Sequence, residues 1–487
     1  MNILCIYSIK DYVYQDKPLP DAGTIPFGLA MIATCLKKAG HSIELKVFTP
    51  ATPLHNAIEC VIRDFHPSLV CLTSVSSQIP IIKKVGECIK EIDPSIYVIL
   101  GGHHATLNPE EAIAYKWVDA ICIGEGEMAV IELTKQIEKG LSPAGILNLW
   151  IKSGTLGNIE RNNTRPFLNN LDDLPFIDRD IWLPSISGRL NKQSVLIGRG
   201  CPFKCTYCSN HALAKIAKGS YVRLRSPENI INEIKKLAND FHMLDEVYLE
   251  IETLGASLSY TYDLLDALTD LNKSLSKPIK YGANLAITSK ICRNTDLLER
   301  FKQANFKYIN IGLESGSERI RKYVLRRPSY TNKEIIEFSY LTKRLSIQVR
   351  MYVLIGLPGE TYRDFIETLR VVQSCQPAQI YLSIFYPYPG TQLFKICLEQ
   401  GLIDSSFTLD IRERNITVLN LPDFSRWRIK REFILFPFKV YKGHLPWMVV
   451  FARTARGVIT AYPFLESLYR KFVEKIGFLS ILRNRLC

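Results

Sequence analysis

The sequence predicts an α/β protein: two successive series of strand–helix units, then a basic and mainly helical C-terminal region. Three observations carry that expectation. Residues 1–140 contain five short, continuously apolar runs separated by helical patterns, residues 194–391 contain six more, and from Arg426 onward aromatic residues mix with Lys and Arg. Continuous apolar runs mark strands buried on both faces, and strands alternating with helices imply parallel sheets. The first series therefore reads as a doubly wound, Rossmann-like domain, and the second as a partial (β/α)6 form of the eight-unit TIM-type barrel. The expected domains are residues 1–140, a connecting segment 141–190, the barrel 191–400 and the C-terminal region 401–487.

In the first series "NILCIYSI" is the opening strand. "IPFGLAMIATCLKKAGH" follows as a helix with Pro26 near its start, Leu29, Ile32 and Leu36 on one face, and Gly40 where it stops. "IELKVF", a helix around 55–64, "LVCLTSV", a helix around 80–91, "YVILGGHHAT" and "AICIGEGE" complete it. Doubly wound sheets bind ligands at the carboxyl ends of their strands. Those ends read Ser74-Val75-Ser76-Ser77, Gly101-Gly102-His103-His104 and Gly124-Glu125-Gly126-Glu127, where small residues admit a large planar ligand close to the backbone. Ordinary βα turns would look the same. Residues 141–190 are polar and turn-rich and read as a surface connection.

The second series runs through "SVLIG", "EVYLEIE" (246–252), "KYGANLA" (280–286), "YINIGLES" (308–315), "RMYVLIGLPGE" (350–360) and "QIYLSIFYPYPGT" (379–391). One intervening helix is well signalled: Ser226 caps it, Pro227 opens it, and Ile230, Ile231, Ile234 and Leu237 form its apolar face. Barrel chemistry gathers at the carboxyl ends of strands. Directly after the first strand stands "GRGCPFKCTYCSN", with Cys201, Cys205 and Cys208 within eight positions.

Composition bounds the rest. The 487 residues are 47% hydrophobic and 22% charged, which excludes wholesale disorder and suggests two or three domains. Thirteen cysteines, mostly lone in apolar runs such as Cys5, Cys71 and Cys122, suit core thiols in a reducing compartment. With no signal-peptide pattern at the start and no apolar run of about 18 residues, the expected location is the cytoplasm. The net charge of +13 is uneven: residues 426–487 carry thirteen Lys/Arg against three acids, so the tail supplies ten of it. The body is therefore no basic nucleic-acid binder.

Three thiols at these spacings admit three readings. Structural zinc wants a closed fourth ligand, and neither Cys292 nor His211 is well placed for one. A disulfide would strand the third cysteine. An iron–sulfur cluster with one iron left open is the remaining option, and the spacing favours it over zinc.

"GCPFKCTYC" resembles the C-x3-C-x2-C signature of the radical S-adenosylmethionine (SAM) superfamily, including the aromatic Tyr207 before the last cysteine. "IGLESGSERI", "IGLPGET" and "PYPGT" resemble later barrel segments of one branch, and "PFGLAMIATCLKKAGH", "LGGHHATLNPEEA" and "IGEGE" resemble that branch's cobalamin-binding domain. The likeness covers residues 1 to about 400, in order. No later motif is specific alone; with the triplet they are strong. The chain is thus identified as resembling the cobalamin (B12)-binding radical SAM enzymes.

That resemblance implies that Cys201, Cys205 and Cys208 ligate a [4Fe–4S] cluster whose fourth iron binds SAM. Its cleavage would yield a 5′-deoxyadenosyl radical able to attack an unactivated carbon. For the SAM ammonium it implies a carboxylate near the second barrel strand, where Glu250 and Glu252 share a face; Glu252 is favoured, although relatives often show an Asp pair. Glu314 and Ser315 would meet the ribose, the turn Gly356-Leu357-Pro358-Gly359-Glu360 would approach the adenine, and Tyr207 would contact the adenine through its backbone. For cobalamin, Ser74, Gly101, Gly102, Gly124 and Glu125 would line the corrin and its tail. No histidine stands in the loop after the first strand, so none is expected there on cobalt; His103 is a hydrogen-bonding or packing residue rather than a ligand. An electron donor such as flavodoxin or ferredoxin is implied.

Two activities fit: methylation of an unactivated carbon, which family frequency favours, and a radical cyclisation, oxidation or rearrangement in which cobalamin plays another part. A zinc-stabilised non-catalytic module and an RNA methylthiotransferase are minor readings, since Cys5, Cys35 and Cys60 stand on separate elements and form no second cluster motif. In the tail, a helix over 463–482 would align Phe464, Leu468, Phe472, Ile476 and Leu479, with Arg470, Lys471 and Lys475 outside. Such a helix suits a membrane surface or docking on the barrel edge. A hydrophobic, lipid-like substrate would fit it.

Overall fold

The computed structural model describes residues 1–9, 17–50, 52–153, 158–188, 190–404, 407–408, 410, 412–462, 464–465 and 468–469. They form two compact units: residues 1–202 with 209–252 and 409–411, and residues 203–208 with 253–408 and 412–487.

In the first unit β1 (Asn2–Ser8), β2 (Ser42–Phe48), β3 (Leu69–Thr73), β4 (Tyr97–Gly101) and β5 (Ala120–Cys122) lie parallel in the order β2-β1-β3-β4-β5. Cys5 stands opposite both Leu45 and Cys71. The strand period of two splits each apolar run between two cores. Ile3, Cys5, Cys71 and Ile99 pack with helix Phe27–Lys38, while Leu4, Ile6, Val70 and Leu72 pack with helices Leu54–Phe65 and Ile79–Ile92. This division is the doubly wound arrangement expected; Cys5, Cys71 and Cys122 are core residues as read, and Cys35 joins them.

The segment expected to be purely connecting holds two strands. β6 (Leu149–Ser153) pairs antiparallel with β5, and β7 (Asn158–Arg161) antiparallel with β6. Their signal is faint because β6 buries only Leu149 and Ile151, and β7 buries no residue fully.

Next come β8 (Lys192–Leu196), β9 (Gly198–Arg199), β10 (Arg223–Leu224), helix Pro227–Asp240 and β11 (Glu246–Leu254), with β8 and β11 parallel. The Ser226 hydroxyl accepts the Asn229 N–H, as the sequence implies. Ile230, Ile234 and Leu237 are buried and Ile231 is half-buried. Glu233 is also buried on this helix, accepting from Arg179 Nη2 at 3.0 Å and Arg225 Nη1 at 2.6 Å.

The second unit contains β12 (Lys280–Leu285), β13 (Phe306–Glu314), β14 (Gln348–Ile355) and β15 (Gln379–Ile384), parallel and in chain order. Helices Leu258–Ser274, Thr295–Gln303, Asn332–Arg344 and Tyr362–Cys375 alternate with strands. Thr331 with Glu334, and Thr361 with Asp364, start two of these helices as reciprocal capping boxes. All six strands expected of the second series are present. Helices Arg426–Tyr441 and Trp447–Ala461 follow. Most of the expected 463–482 helix lies outside the described residues.

Glu233 neutralises two buried guanidiniums. Removing one member of a buried ion cluster leaves uncompensated charge and costs about 3–5 kcal/mol. Glu233→Ala is therefore expected to lower the denaturant midpoint strongly, and a chemical unfolding curve checks it.

Candidate functional site

The cysteine loop begins where β9 pairs antiparallel with β10, Arg199 opposite Arg223. A Cβ on Gly198 would fall 2.9 Å from the Arg223 carbonyl oxygen, and one on Gly200 would fall 2.3 Å from that of Tyr221, with φ +90° at Gly200. The glycine pair is thus demanded by close backbone approach.

Two arginines of this small ribbon converge on the "IGEGE" turn. Glu125 accepts from Arg199 Nη1 (2.8 Å), Arg223 Nη1 and Nη2 (2.9 and 2.8 Å) and the Leu168 N–H (3.1 Å). Glu127 accepts from Arg199 Nη2 at 2.6 Å. Burial alone would raise the Glu125 pKa, but the guanidiniums outweigh it and bring it to about 2. The Glu125 carboxylate is therefore engaged by protein donors.

On β11 Glu250 and Glu252 point to one face, two residues apart. Burial first, and then the Glu252 charge, push Glu250 up to about 7. Burial also raises Glu252, against N–H groups of its own residue and of Gly200 and against Arg199 and Arg223. Glu252 is more exposed than Glu250 and is anchored to the start of the cysteine loop.

At the sheet's carboxyl edge in the first unit, Gly102 has φ +91°, and a Cβ there would meet the Ser74 carbonyl oxygen at 2.6 Å. The Ser74 N–H donates to the Gly101 carbonyl at 3.2 Å. The hydroxyls of Ser74 and of Ser8, which ends β1, are buried without a partner among the described residues. Gly124 (φ +81°) donates its N–H to Thr106 Oγ1 at 3.1 Å. Orphaned hydroxyls beside a cradle open only to glycine fit a bound polar tail such as cobalamin's. His103 is exposed, whereas His104 is buried, stacked on Tyr115 and bonded to its hydroxyl at 3.1 Å. The loop over 10–16 lies outside the described residues.

In the second unit the Cys208 N–H donates to the Cys205 carbonyl at 3.1 Å, closing a turn that aims Tyr207 inward. The Thr206 N–H and hydroxyl donate to the carbonyls of Leu325 (3.1 Å) and Val324 (2.6 Å). The Tyr207 hydroxyl donates to Glu314 Oε1 at 3.0 Å and accepts from Arg327 Nη1 at 3.0 Å. Burial raises the Glu314 carboxyl against the lowering effects of Arg327 and Tyr207. Ser315 turns instead to Thr368 Oγ1 at 3.2 Å, and its hydroxyl accepts the Ser317 N–H.

Gly356 (φ +79°) and Gly359 (φ +67°) shape a turn that Glu360 ties from within, its Oε2 accepting the N–H groups of Gly356 (2.6 Å) and Leu357 (3.1 Å). Burial pushes the Glu360 carboxyl up to about 8. Sequence reasoning did not single out Arg199, Arg223, Arg327 or this role of Glu360. Only the last had a signal, a glutamate closing a Gly-x-x-Gly turn.

No disulfide joins any of the twelve described cysteines; Cys205 is buried, and Cys201 and Cys208 are half-buried. Among the described residues no three His, Cys, Asp or Glu side chains gather closely enough for a single metal ion. Three thiolates on a four-iron cluster bind different irons and need not converge on one point. The donor set therefore fits the cluster.

A family model described as the Radical SAM superfamily matches residues 195–372, and one described as a B12 binding domain matches residues 22–134. An uncharacterized methyltransferase of Pyrococcus horikoshii is 26% identical over 382 residues, covering 78% of this chain and 79% of that protein. The anaerobic magnesium-protoporphyrin IX monomethyl ester cyclase of Cereibacter sphaeroides is 25% identical over 389 residues, covering 77% and 60%. The hopanoid C-3 methylase of Methylococcus capsulatus is 23% identical over 441 residues, covering 87% and 77%. Among solved structures, the cobalamin-dependent SAM radical enzyme OxsB superposes with a TM-score of 0.68 at 15% identity, covering 98% of this chain and 75% of that one. The radical SAM methyltransferase TsrM of Kitasatospora setae gives 0.65 at 16%, covering 82% and 76%. At such identities the structures establish a shared fold.

A cysteine loop at the head of a parallel-strand series that matches this superfamily makes the chain a radical SAM enzyme. With the B12-binding domain ahead of that series, it carries both domains of the cobalamin-binding radical SAM enzymes. Its cofactors are accordingly a [4Fe–4S] cluster, SAM and cobalamin. The Rossmann-like domain and the partial TIM-type barrel expected from the sequence are the folds of these two regions.

Because the folded-state pKa of Glu360 lies above its ordinary 4.5, the stability it lends is complete below about pH 4.5 and is lost as pH rises through about 8. Glu360→Gln is expected to flatten stability between pH 5 and 8, which parallel thermal unfolding of both proteins measures.

Proposed function

We propose that this enzyme methylates an unactivated carbon of a small-molecule or lipid-like biosynthetic intermediate. The observation that carries the reading is the pairing, in one chain, of a B12-binding domain with a radical SAM domain holding Cys201, Cys205 and Cys208. When bound, the cluster supplies the electron that cleaves SAM, and cobalamin supplies the methyl group. The chain's own residues bind and orient. Glu252, with Glu250 behind it on β11, receives the SAM ammonium; a carboxylate is the acceptor a cation needs. Glu314 and the Gly356–Gly359 turn face the nucleoside, with Tyr207 and Ser315 holding Glu314 and its strand end. Ser74 and Gly102, with Gly101, Gly124 and His103 nearby, receive cobalamin, and Glu125 fixes the ribbon beside them. A small electron-transfer protein such as flavodoxin or ferredoxin supplies the electron.

Radical cyclisation is the second reading, favoured by the cyclases among the relatives. Anaerobically reconstituted enzyme given methyl-labelled SAM distinguishes the two. The expected result is 5′-deoxyadenosine together with label in the product; unlabelled product formed with 5′-deoxyadenosine would replace methylation with cyclisation.

Among the described residues no helix is long and apolar enough to cross a membrane. We further infer contact with the cytoplasmic face of a membrane through helix Trp447–Ala461. Trp447 (76% exposed), Met448 and Phe451 project from it, Trp427 is exposed as well, and the helix contains Arg453 and Arg456 but no acid. Aromatic residues beside net positive charge match an anionic bilayer surface. Sedimentation with vesicles containing anionic lipid is expected to pull down the wild type, with about tenfold weaker binding for Trp447→Glu/Phe451→Glu; equal binding by both would remove the inference.

A further inference from the structure

Arg327 occupies the junction between the cysteine loop and the end of β13, and its surroundings are unusual. Its guanidinium donates from Nη2 to the Gly312 carbonyl at 2.5 Å and from Nη1 to the Tyr207 hydroxyl, while Nη1 lies 4.0 Å from the Cys205 sulfur. Glu314 Oε1 is 3.9 Å from Nη1. The remaining donor, Nε, is buried with no partner among the described residues. Gly312 is needed for this arrangement, since a Cβ there would fall 2.4 Å from Glu314 Oε1 and 3.0 Å from Arg327 Nη2.

The backbone is strained on both sides of the pair. Glu314 has φ +60° and Arg326 has φ +48°, left-handed conformations that non-glycine residues adopt at a cost. A π-helical turn, Ile320–Val324, precedes Arg326, and its last carbonyl accepts the Thr206 hydroxyl. Pro328 directly follows Arg327 and disfavours helical backbone there. Three local irregularities thus coincide where one cation is delivered to one cluster ligand, and irregularities of this kind mark functional sites.

We propose that Arg327 is a positioning residue that sets how readily the cluster accepts its electron. The proposal rests on the reading of Cys201, Cys205 and Cys208 as cluster ligands. Reduction adds a negative charge shared with the ligand sulfurs. A guanidinium only 13% exposed beside Cys205 stabilises that charge, and hydrogen bonds and charges around the sulfurs are among the levers that set such potentials. Tyr207 and Gly312 fix the guanidinium so that its charge does not reorient away.

The test is a redox titration of the reconstituted, SAM-free full-length protein, followed by electron paramagnetic resonance, with iron and sulfide assayed in each sample. The variants are Arg327→Lys, Arg327→Gln, Arg327→Met, and Arg327→Met combined with Glu314→Gln to avoid an isolated buried carboxylate. At the potential that half-reduces the wild type, the uncharged variants are expected to show a reduced-to-oxidised ratio about tenfold lower or more. Arg327→Lys is expected to stay within about twofold, since it keeps the charge. Should the methionine variants fail to hold a cluster, the glutamine variant, which retains donors for Tyr207 and Gly312, decides. Unchanged ratios in the uncharged variants that hold clusters would overturn the proposal while leaving the cluster reading intact. Wild-type protein without iron and sulfide would overturn the cluster reading itself.

Discussion

One carboxylate organises the entrance to the cysteine loop. Glu125 takes four hydrogen bonds, three of them from guanidiniums that face each other across β9 and β10. Without it, Arg199 would keep Glu127, but Arg223 would be a buried cation opposite Arg199 on the adjacent strand with no carboxylate bonded to it, which is repulsive. With it, the ribbon that launches the loop is tied to the turn after β5. Everything in the loop depends on that launch point, because Gly200 leaves the ribbon in a conformation that only glycine adopts without strain.

The same logic, a carboxyl group engaged by backbone, guanidinium or hydroxyl donors, recurs. Glu360 closes its own glycine turn, Glu233 holds two arginines, and Glu314 faces Tyr207 and Arg327. Buried charges persist only when paired or hydrogen-bonded. Cofactor sites in this chain therefore stand on frames whose carboxyl groups are engaged by protein donors. Groups left uncommitted at the carboxyl edge of the first sheet, the hydroxyls of Ser8 and Ser74, are correspondingly informative.

Much of this was legible in the sequence. Continuous runs such as "LVCLTSV" announced buried parallel strands because both faces of each strand meet helices, and Ser226-Pro227 announced a helix start through capping chemistry. The cysteine spacing carried the site. What was hidden has a common physical origin: the roles of Arg199, Arg223 and Arg327 depend on pairing between residues 74 to 120 positions apart. An arginine in "LRRPSY" looks like any surface cation until the fold places it beside Cys205. β6 and β7 escaped notice for the opposite reason. Too few of their side chains are buried to leave a periodic trace.

That weak hairpin decides where the first sheet stops. β5 is only three residues long and wholly buried, whereas β7 contributes Asn158, Glu160 and Arg161. An apolar rim with unsatisfied amides invites another chain to add to it, and a short charged strand discourages this. A fragment cut at residue 140, where the alternation of strand and helix fades, would therefore lose its own cover and be prone to self-association in a way the whole chain is not.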